Sequence, residues 1–238
     1  MEQSNNQKWL VFIMHWFWGS KDEKLIRKSS EVFIKNNFTV ITFDARNTFW
    51  ESEWNYENWT ITNYYEDLED VISWAGNQDF YEEKFYLLWH SLGWICTCLF
   101  TQKFPEKVKA LIPISPVISW KLSLETLTNT ELEEYKNNWF ITKISTSVPW
   151  RIKKVKYSHF EDRLKYNLLE KAGDMNLPIL IIVWEKDETT PFIHQKLLFE
   201  KLTCKKELKI IKNWLHSFKK PWELEEIWKI INTFICLK

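Results

Sequence analysis

A serine, an aspartate and a histidine each follow a separate apolar segment of the chain. Together these residue types can activate a hydroxyl for nucleophilic attack. They are Ser91, Asp187 and His216, in that order. A serine hydroxyl becomes a strong nucleophile when a histidine takes its proton, and an acid keeps that histidine in the right tautomer. We therefore predict a catalytic triad with Ser91 as nucleophile, Asp187 as acid and His216 as base.

The predicted acid has two neighbours that could take its place. Glu185 and Glu188 flank Asp187, and either carboxylate could orient the base. The other four histidines are not predicted to be the base. His15 is expected to be structural, and His90 is expected to point away from the site. His159 and His194 are expected at the surface.

The apolar segments alternate with segments of helical periodicity along most of the chain. Strands are predicted at 8–14, 38–43, 84–88, 108–114, 178–183 and 207–211, and helices at 22–37, 63–75, 92–104, 191–202 and 221–235. This alternation predicts an α/β fold with a mostly parallel, doubly wound sheet of about six strands and helices on both faces. In such a sheet functional residues collect at the carboxyl ends of the strands, where the three triad residues fall.

Residues 117–176 interrupt this alternation. The stretch is rich in Lys, Thr and Asn and has no strong strand pattern. At 238 residues the chain fits one α/β domain. We therefore expect a single domain over residues 1–238, in which 117–176 form a small cap insertion over the sheet.

Composition argues against several other classes of protein. Lys and Arg number 32 and so do Asp and Glu, which gives no electrostatic reason to expect a nucleic-acid partner. No apolar run approaches the roughly 18 residues of a membrane span, and residues 1–7 lack the features of a signal peptide. The four cysteines have no metal-ligand spacing, which favours free thiols in the cytoplasm and no metal. No glycine-rich phosphate loop follows the first strand, which argues against a nucleotide-binding domain. We expect no cofactor, because the predicted triad needs none.

Six segments resemble motifs of the α/β-hydrolase superfamily. They are HWFWGS at 15–20, FDARNTFWESEW at 43–54, YLLWHSLGW at 86–94, FPEKVKALIPISP at 104–116, IIVWEKDETTP at 181–191 and KNWLHSF at 212–218. The third is similar to the G-x-S-x-G nucleophile elbow of that superfamily. The closest subgroup is the small esterases that resemble feruloyl esterases, monoacylglycerol lipases and serine aminopeptidases of the S33 type.

The resemblance implies a reaction and further site residues. It implies hydrolysis of a small carboxylic ester through an acyl-enzyme, with the backbone N–H groups of Phe17 and Leu92 as the oxyanion hole. The same triad would also serve a peptidase, a thioesterase or an acyltransferase, because this fold hosts many chemistries. The oligomeric state is left open, although strand 38–43 is expected to be an exposed edge that could recruit a partner.

Tryptophan stands where these motifs have glycine. The chain has 16 Trp and only 4 Gly, whereas an average chain of this length has about 17 Gly. The seven matching positions are 16, 18, 50, 54, 89, 94 and 184, and positions 9, 59, 150 and 214 are further candidates, whereas Trp74 is expected to be a genuine core residue. Because elbow glycines allow close backbone approach, Trp89 and Trp94 are expected to distort the turn.

Two hypotheses account for the tryptophans. In the first, the gene uses UGA for glycine and the codon has been read as tryptophan. In the second, the tryptophans are real and the chain is a non-catalytic binding protein that keeps the fold.

Overall fold

The computed structural model describes most of the chain, in several ranges. These are residues 1–3, 6–16, 19–48, 52, 55–125, 129, 133–134, 137–144, 152–212 and 221–237. The predicted base His216 and the predicted oxyanion donor Phe17 lie outside the described residues. So do Trp18, Trp50, Trp54, Trp150 and Trp214.

A six-stranded sheet forms the centre of the fold, and all of its neighbouring strands are parallel. The strands are β1 (Trp9–Met14), β2 (Phe38–Phe43), β3 (Phe85–His90), β4 (Val108–Ile114), β7 (Ile179–Trp184) and β8 (Lys206–Ile211), in the spatial order β2-β1-β3-β4-β7-β8. The prediction of a parallel sheet of about six strands is confirmed.

Helices cover both faces of this sheet, as its near-continuous apolar strands require. They are α1 (Lys24–Lys35), α2 (Ile61–Ala75), α3 (Trp94–Lys103), α6 (Phe192–Lys201) and α7 (Pro221–Cys236). Along β1, Leu10 and Phe12 pack on the side of α2, α3 and α6, whereas Val11 and Ile13 pack on the side of α1 and α7. Two buried apolar layers therefore hold the sheet between the helices.

Strand register brings the carboxyl ends of four strands together. His90 of β3 pairs with Ile114 of β4, and Ile114 pairs with Ile182 of β7. Trp184 at the end of β7 pairs with Ile211 at the end of β8. The loops that follow these strands consequently leave the sheet at one edge.

The segment between β4 and β7 contains strands that were not predicted. Its described elements include α4 (Trp120–Leu124), a hairpin of β5 (Phe140–Ile144) with β6 (Ile152–Lys156), and α5 (Ser158–Leu164). The expectation of no strand here was wrong because lysine and threonine interrupt the apolar pattern of both strands. The hairpin forms a separate two-stranded antiparallel sheet.

The predicted exposed edge at β2 is partly paired. Glu2 forms an antiparallel bridge to Val40, with backbone hydrogen bonds of 3.0 and 2.9 Å. The start of the chain thus pairs with this edge strand, contrary to expectation. In the described ranges we find no helix with the length and apolar character needed to cross a membrane.

Candidate active site

Ser91 occupies a sharp turn between β3 and α3. It begins a short 3₁₀ turn, Ser91–Gly93, and its φ is +57°. Positive φ is uncommon and strained for a residue with a Cβ, and such strain often occurs at functional sites. The non-glycine residues with positive φ in the described part of the chain are Asn37, Asn47, Ser91 and Ser115. Asparagine tolerates this conformation, so the two serines stand out.

The surroundings of Ser91 hold this turn in place. Val117, which follows β4, donates its backbone N–H to the Ser91 carbonyl at 3.2 Å. Ser91 is 7% exposed, and Leu92 is buried beside it at the N-terminal end of α3. Because helix N-termini favour negative charge, this location suits an oxyanion donor such as the Leu92 N–H.

Asp187 follows β7 in a turn that orients its carboxylate. Its Oδ1 accepts hydrogen bonds from the backbone N–H groups of Thr189 at 2.9 Å and Thr190 at 2.8 Å. Its Oδ2 accepts a third from the Thr190 hydroxyl at 2.8 Å. Asp187 is 5% exposed, whereas the alternative acids Glu185 and Glu188 are both exposed. Asp187 is therefore a buried carboxylate that three hydrogen bonds from its own turn hold in one orientation.

Strand order sets how these groups can meet. Ser91 follows β3 and Asp187 follows β7, and β4 lies between the two strands. The loop after β8, which carries His216 in the sequence, starts at the same edge on the far side of β7. The described part of the site therefore contains the predicted nucleophile and acid, while the base lies outside it.

Similarity to solved structures covers nearly the whole chain. Est1E from Butyrivibrio proteoclasticus with ferulic acid bound matches at 19% identity and a TM-score of 0.83, over 99% of this chain and 92% of that chain. Mouse alpha/beta hydrolase domain-containing protein 10 matches at 18% identity and a TM-score of 0.78, over 99% and 91%. The chain has the α/β-hydrolase fold.

A third example extends this similarity to a lipase. The monoacylglycerol lipase of Paleococcus ferrophilus matches at 19% identity and a TM-score of 0.68, over 94% of this chain and 93% of that chain. No protein-family model and no curated protein matches the sequence. At these identities the α/β-hydrolase fold is shown, and the reaction has to be argued from the site.

His15 is buried at the start of the loop that precedes α1 in this fold. The Tyr64 hydroxyl donates to the His15 carbonyl at 2.8 Å, so it accepts from His15 Nδ1, 2.7 Å away. His15 Nε2 then accepts the Ala45 N–H at 3.3 Å. This network fixes the Nδ1–H tautomer. Burial lowers the pKa of His15 to about 4, which keeps the imidazole neutral in a supporting position.

His159 corrects one prediction. It was expected at the surface but is 1% exposed, with its ring 4.8 Å from that of Trp59 and 5.3 Å from that of Phe160. The reason is that α5 packs the face carrying His159 against the rest of the protein, and burial lowers the pKa of the imidazole well below its usual value. Within the described ranges, no group of three or more His, Cys, Asp or Glu side chains could hold a metal ion.

The tryptophans at the elbow are buried without distorting it. Trp89 and Trp94 are at most 1% exposed, and Ser91 keeps its left-handed turn beside them, so the expected distortion is not observed. A Cβ on Gly93 would overlap the indole nitrogen of Trp89, which shows that Trp89 fits only because residue 93 is glycine. Trp74, expected in the core, is 47% exposed.

The two elbow indoles nevertheless carry buried polar groups. Nε1 of Trp89 and Nε1 of Trp94 have no hydrogen-bond partner among the described residues. Buried indole N–H groups in folded proteins usually find a partner, and leaving a buried donor unsatisfied costs about 1–3 kcal/mol.

Sequence reasoning missed the residues that support the site. Thr190 had a signal, because an aspartate followed by small polar residues is typical of a turn that its own side chain closes. Val117 and Gln195 had none, since the Val117–Ser91 contact depends on how β4 lies beside β3, and the Gln195–Pro116 contact depends on how α6 packs near the end of β4.

Proposed function

We propose that the protein is a serine hydrolase that cleaves carboxylic esters through Ser91, His216 and Asp187. The observation that carries the proposal is the strained left-handed Ser91 at the β3–α3 turn, at the same sheet edge as a buried, oriented Asp187. Both features suit a nucleophile elbow and its acid. An esterase domain from Rhodothermus marinus and a monoacylglycerol lipase among the structures of similar fold add support.

The proposed reaction has two balanced steps. The Ser91 hydroxyl attacks the acyl carbonyl carbon while His216, oriented by Asp187, accepts its proton. The N–H groups of Leu92 and Phe17 stabilise the oxyanion, each by about 3 kcal/mol. The acyl C–O bond then breaks, and the leaving alkoxide takes the proton from His216.

Water completes the cycle. His216 removes a proton from a water molecule, which attacks the acyl-enzyme, and the protonated histidine returns that proton to Ser91 as the acid leaves. The proposal requires no metal and no organic cofactor.

A fluorophosphonate probe tests the nucleophile directly. We expect the probe to label Ser91, located by mass spectrometry of the modified peptide, and Ser91→Ala to lose both labelling and ester turnover with an unchanged melting temperature. Labelling that persists in Ser91→Ala, or a folded chain with glycine at positions 16, 18, 50, 54, 89, 94 and 184 that never labels, would refute the assignment.

We also propose that the catalytic chain carries glycine at positions 16, 18, 50, 54, 89, 94 and 184, through UGA codons that specify glycine. The match of all seven positions to glycine in the motifs supports this. The buried Nε1 atoms of Trp89 and Trp94, which have no hydrogen-bond partner in the described part of the chain, support it further, because glycine at both positions would remove these buried donors.

The codons of the gene and the intact mass of the protein from its natural source decide this point. UGA at positions 16, 89 and 94, with a mass lower by one tryptophan-to-glycine difference per recoded position, is the expected result. UGG codons would overturn recoding and favour the second candidate function, a non-catalytic binding protein.

The substrate is proposed as a small carboxylic ester, bound under a cap formed by residues 117–176. The protein is proposed to act in the cytoplasm without a nucleic-acid partner, in keeping with its balanced charge and four free cysteines. A panel of aryl esters, including feruloyl esters, with matched thioesters and amides, tests whether esters are the preferred substrates. A faster amide or thioester would replace the esterase assignment with a peptidase, thioesterase or acyltransferase.

A further inference from the structure

One buried amide connects the turn beside Ser91 with the turn beside Asp187. Gln195 lies on α6 and is 0% exposed. Its Nε2 donates to the Pro116 carbonyl at 2.8 Å and, over a longer 3.4 Å, to the Thr190 carbonyl. Because both partners are carbonyl oxygens, which only accept, the amide nitrogen must face them.

On one side the amide holds the segment that supports the nucleophile. Pro116 precedes Val117, whose N–H donates to the Ser91 carbonyl at 3.2 Å. Ser115, just before Pro116, is fully buried and has a φ of +43°. A strained turn persists only when its surroundings hold it, and the Gln195–Pro116 hydrogen bond does so from α6.

On the other side the amide holds the segment that orients the acid. Thr190 donates both its N–H and its hydroxyl to the Asp187 carboxylate, each at 2.8 Å. Gln195 binds the carbonyl of this same residue. Ser91 and Asp187 come from strands separated by β4, and Gln195 thus links the residues that support each of them.

We propose that Gln195 is a positioning residue that fixes the geometry of Ser91 relative to Asp187. The proposal rests on the serine hydrolase function proposed above. Catalytic groups must be held within about 0.5 Å of their productive geometry, and a misplacement of about 1 Å can cost about a hundredfold in rate. A rigid link between the two turns meets this requirement.

Gln195→Met tests the link, because it keeps the length and approximate volume of the side chain and removes the donor. We expect the second-order rate of fluorophosphonate labelling of Ser91, and kcat for an ester, to fall by about ten- to a hundredfold with little change in KM. The pH profile of labelling should also shift, since a displaced Asp187 holds the base less well.

Leu198→Ala is the matched control, because Leu198 is also fully buried on α6 and its apolar side chain cannot form hydrogen bonds to either turn. It should lower the melting temperature, while the labelling rate of the folded protein stays at the wild-type value. If Gln195→Met folds poorly, Gln195→Asn keeps a buried amide that is too short for both carbonyls and should show the same slow labelling.

A double-mutant cycle with Thr190→Val sharpens the test. If Gln195 and Thr190 act on the same carboxylate, their effects on the labelling rate should be non-additive. Wild-type labelling rates in both Gln195 variants, or an equal loss in Leu198→Ala, would overturn the positioning role. If the folded chain with glycine in place of the motif tryptophans does not label at all, the proposed hydrolase function has failed first, and the role of Gln195 fails with it.

Discussion

The turns after β3 and β7 hold their predicted catalytic residues by different means. Ser91 is placed by its backbone, in a left-handed conformation that few residues with a side chain adopt. Asp187 is placed by its side chain, whose oxygens accept hydrogen bonds from Thr189 and Thr190. A nucleophile has to project from its turn, whereas a triad acid has to keep one orientation, and each turn suits its task.

The difference predicts how each region fails when altered. A change at Ser91 removes the reacting atom itself. Changes around Asp187 should instead lower the rate of ester hydrolysis by graded amounts. The loss should be largest when the charge is removed, smaller when one hydrogen bond is removed, and absent when only an exposed neighbour is changed.

Among changes away from Ser91, the largest effect is expected for removal of the Asp187 charge. Asp187→Asn keeps the shape of the side chain but cannot hold the base in the correct tautomer, so kcat for ester hydrolysis should fall by about 10⁴-fold. Glu188→Gln, an exposed neighbour, is the control and should leave kcat unchanged. An equal loss in both variants, or no loss in Asp187→Asn, would show that another carboxylate is the acid.

The two turns also differ in how far the sequence predicts them. The strands β3 and β7, which precede the two turns, were predicted because they are short apolar runs. Ser91 and Asp187 were predicted because each follows one of these runs. The hairpin Phe140–Ile144 with Ile152–Lys156 was missed because its lysines hide the strand pattern. The link through Gln195 could not be predicted, because Pro116 is 79 residues away in sequence and meets Gln195 only through the packing of the folded chain.

A smaller effect is expected on the stability of the protein in acid, and it comes from His15, which follows β1, beside the strand β3 that precedes Ser91. His15 is neutral in the folded protein, because burial lowers its pKa from 6.5 to about 4. The nearby charges of Asp44 and Lys21 have opposite effects on this pKa, since Asp44 raises it and Lys21 lowers it. Below pH 6.5 the unfolded chain therefore binds a proton that the folded chain does not, so stability falls with pH by on the order of 3 kcal/mol at pH 4.

Urea unfolding at several pH values measures this loss. His15→Asn should be less stable than wild type at pH 7 and should lose less of its stability between pH 6.5 and pH 4. His159, also buried with a lowered pKa, titrates in both proteins and so does not affect the difference. Parallel pH dependences for the two proteins would contradict the neutral, buried state of His15.

The smallest effect is expected for one hydrogen bond to the acid. Thr190→Val removes the hydroxyl that donates to Asp187 Oδ2 and keeps the Thr190 N–H. We expect kcat/KM to fall about tenfold, equivalent to about 1.4 kcal/mol. Thr189→Val is the matched control: Thr189 is exposed and contacts Asp187 through its backbone N–H, which the substitution keeps, so its activity should match wild type. Equal activity in the two variants would mean that the backbone N–H groups alone orient Asp187.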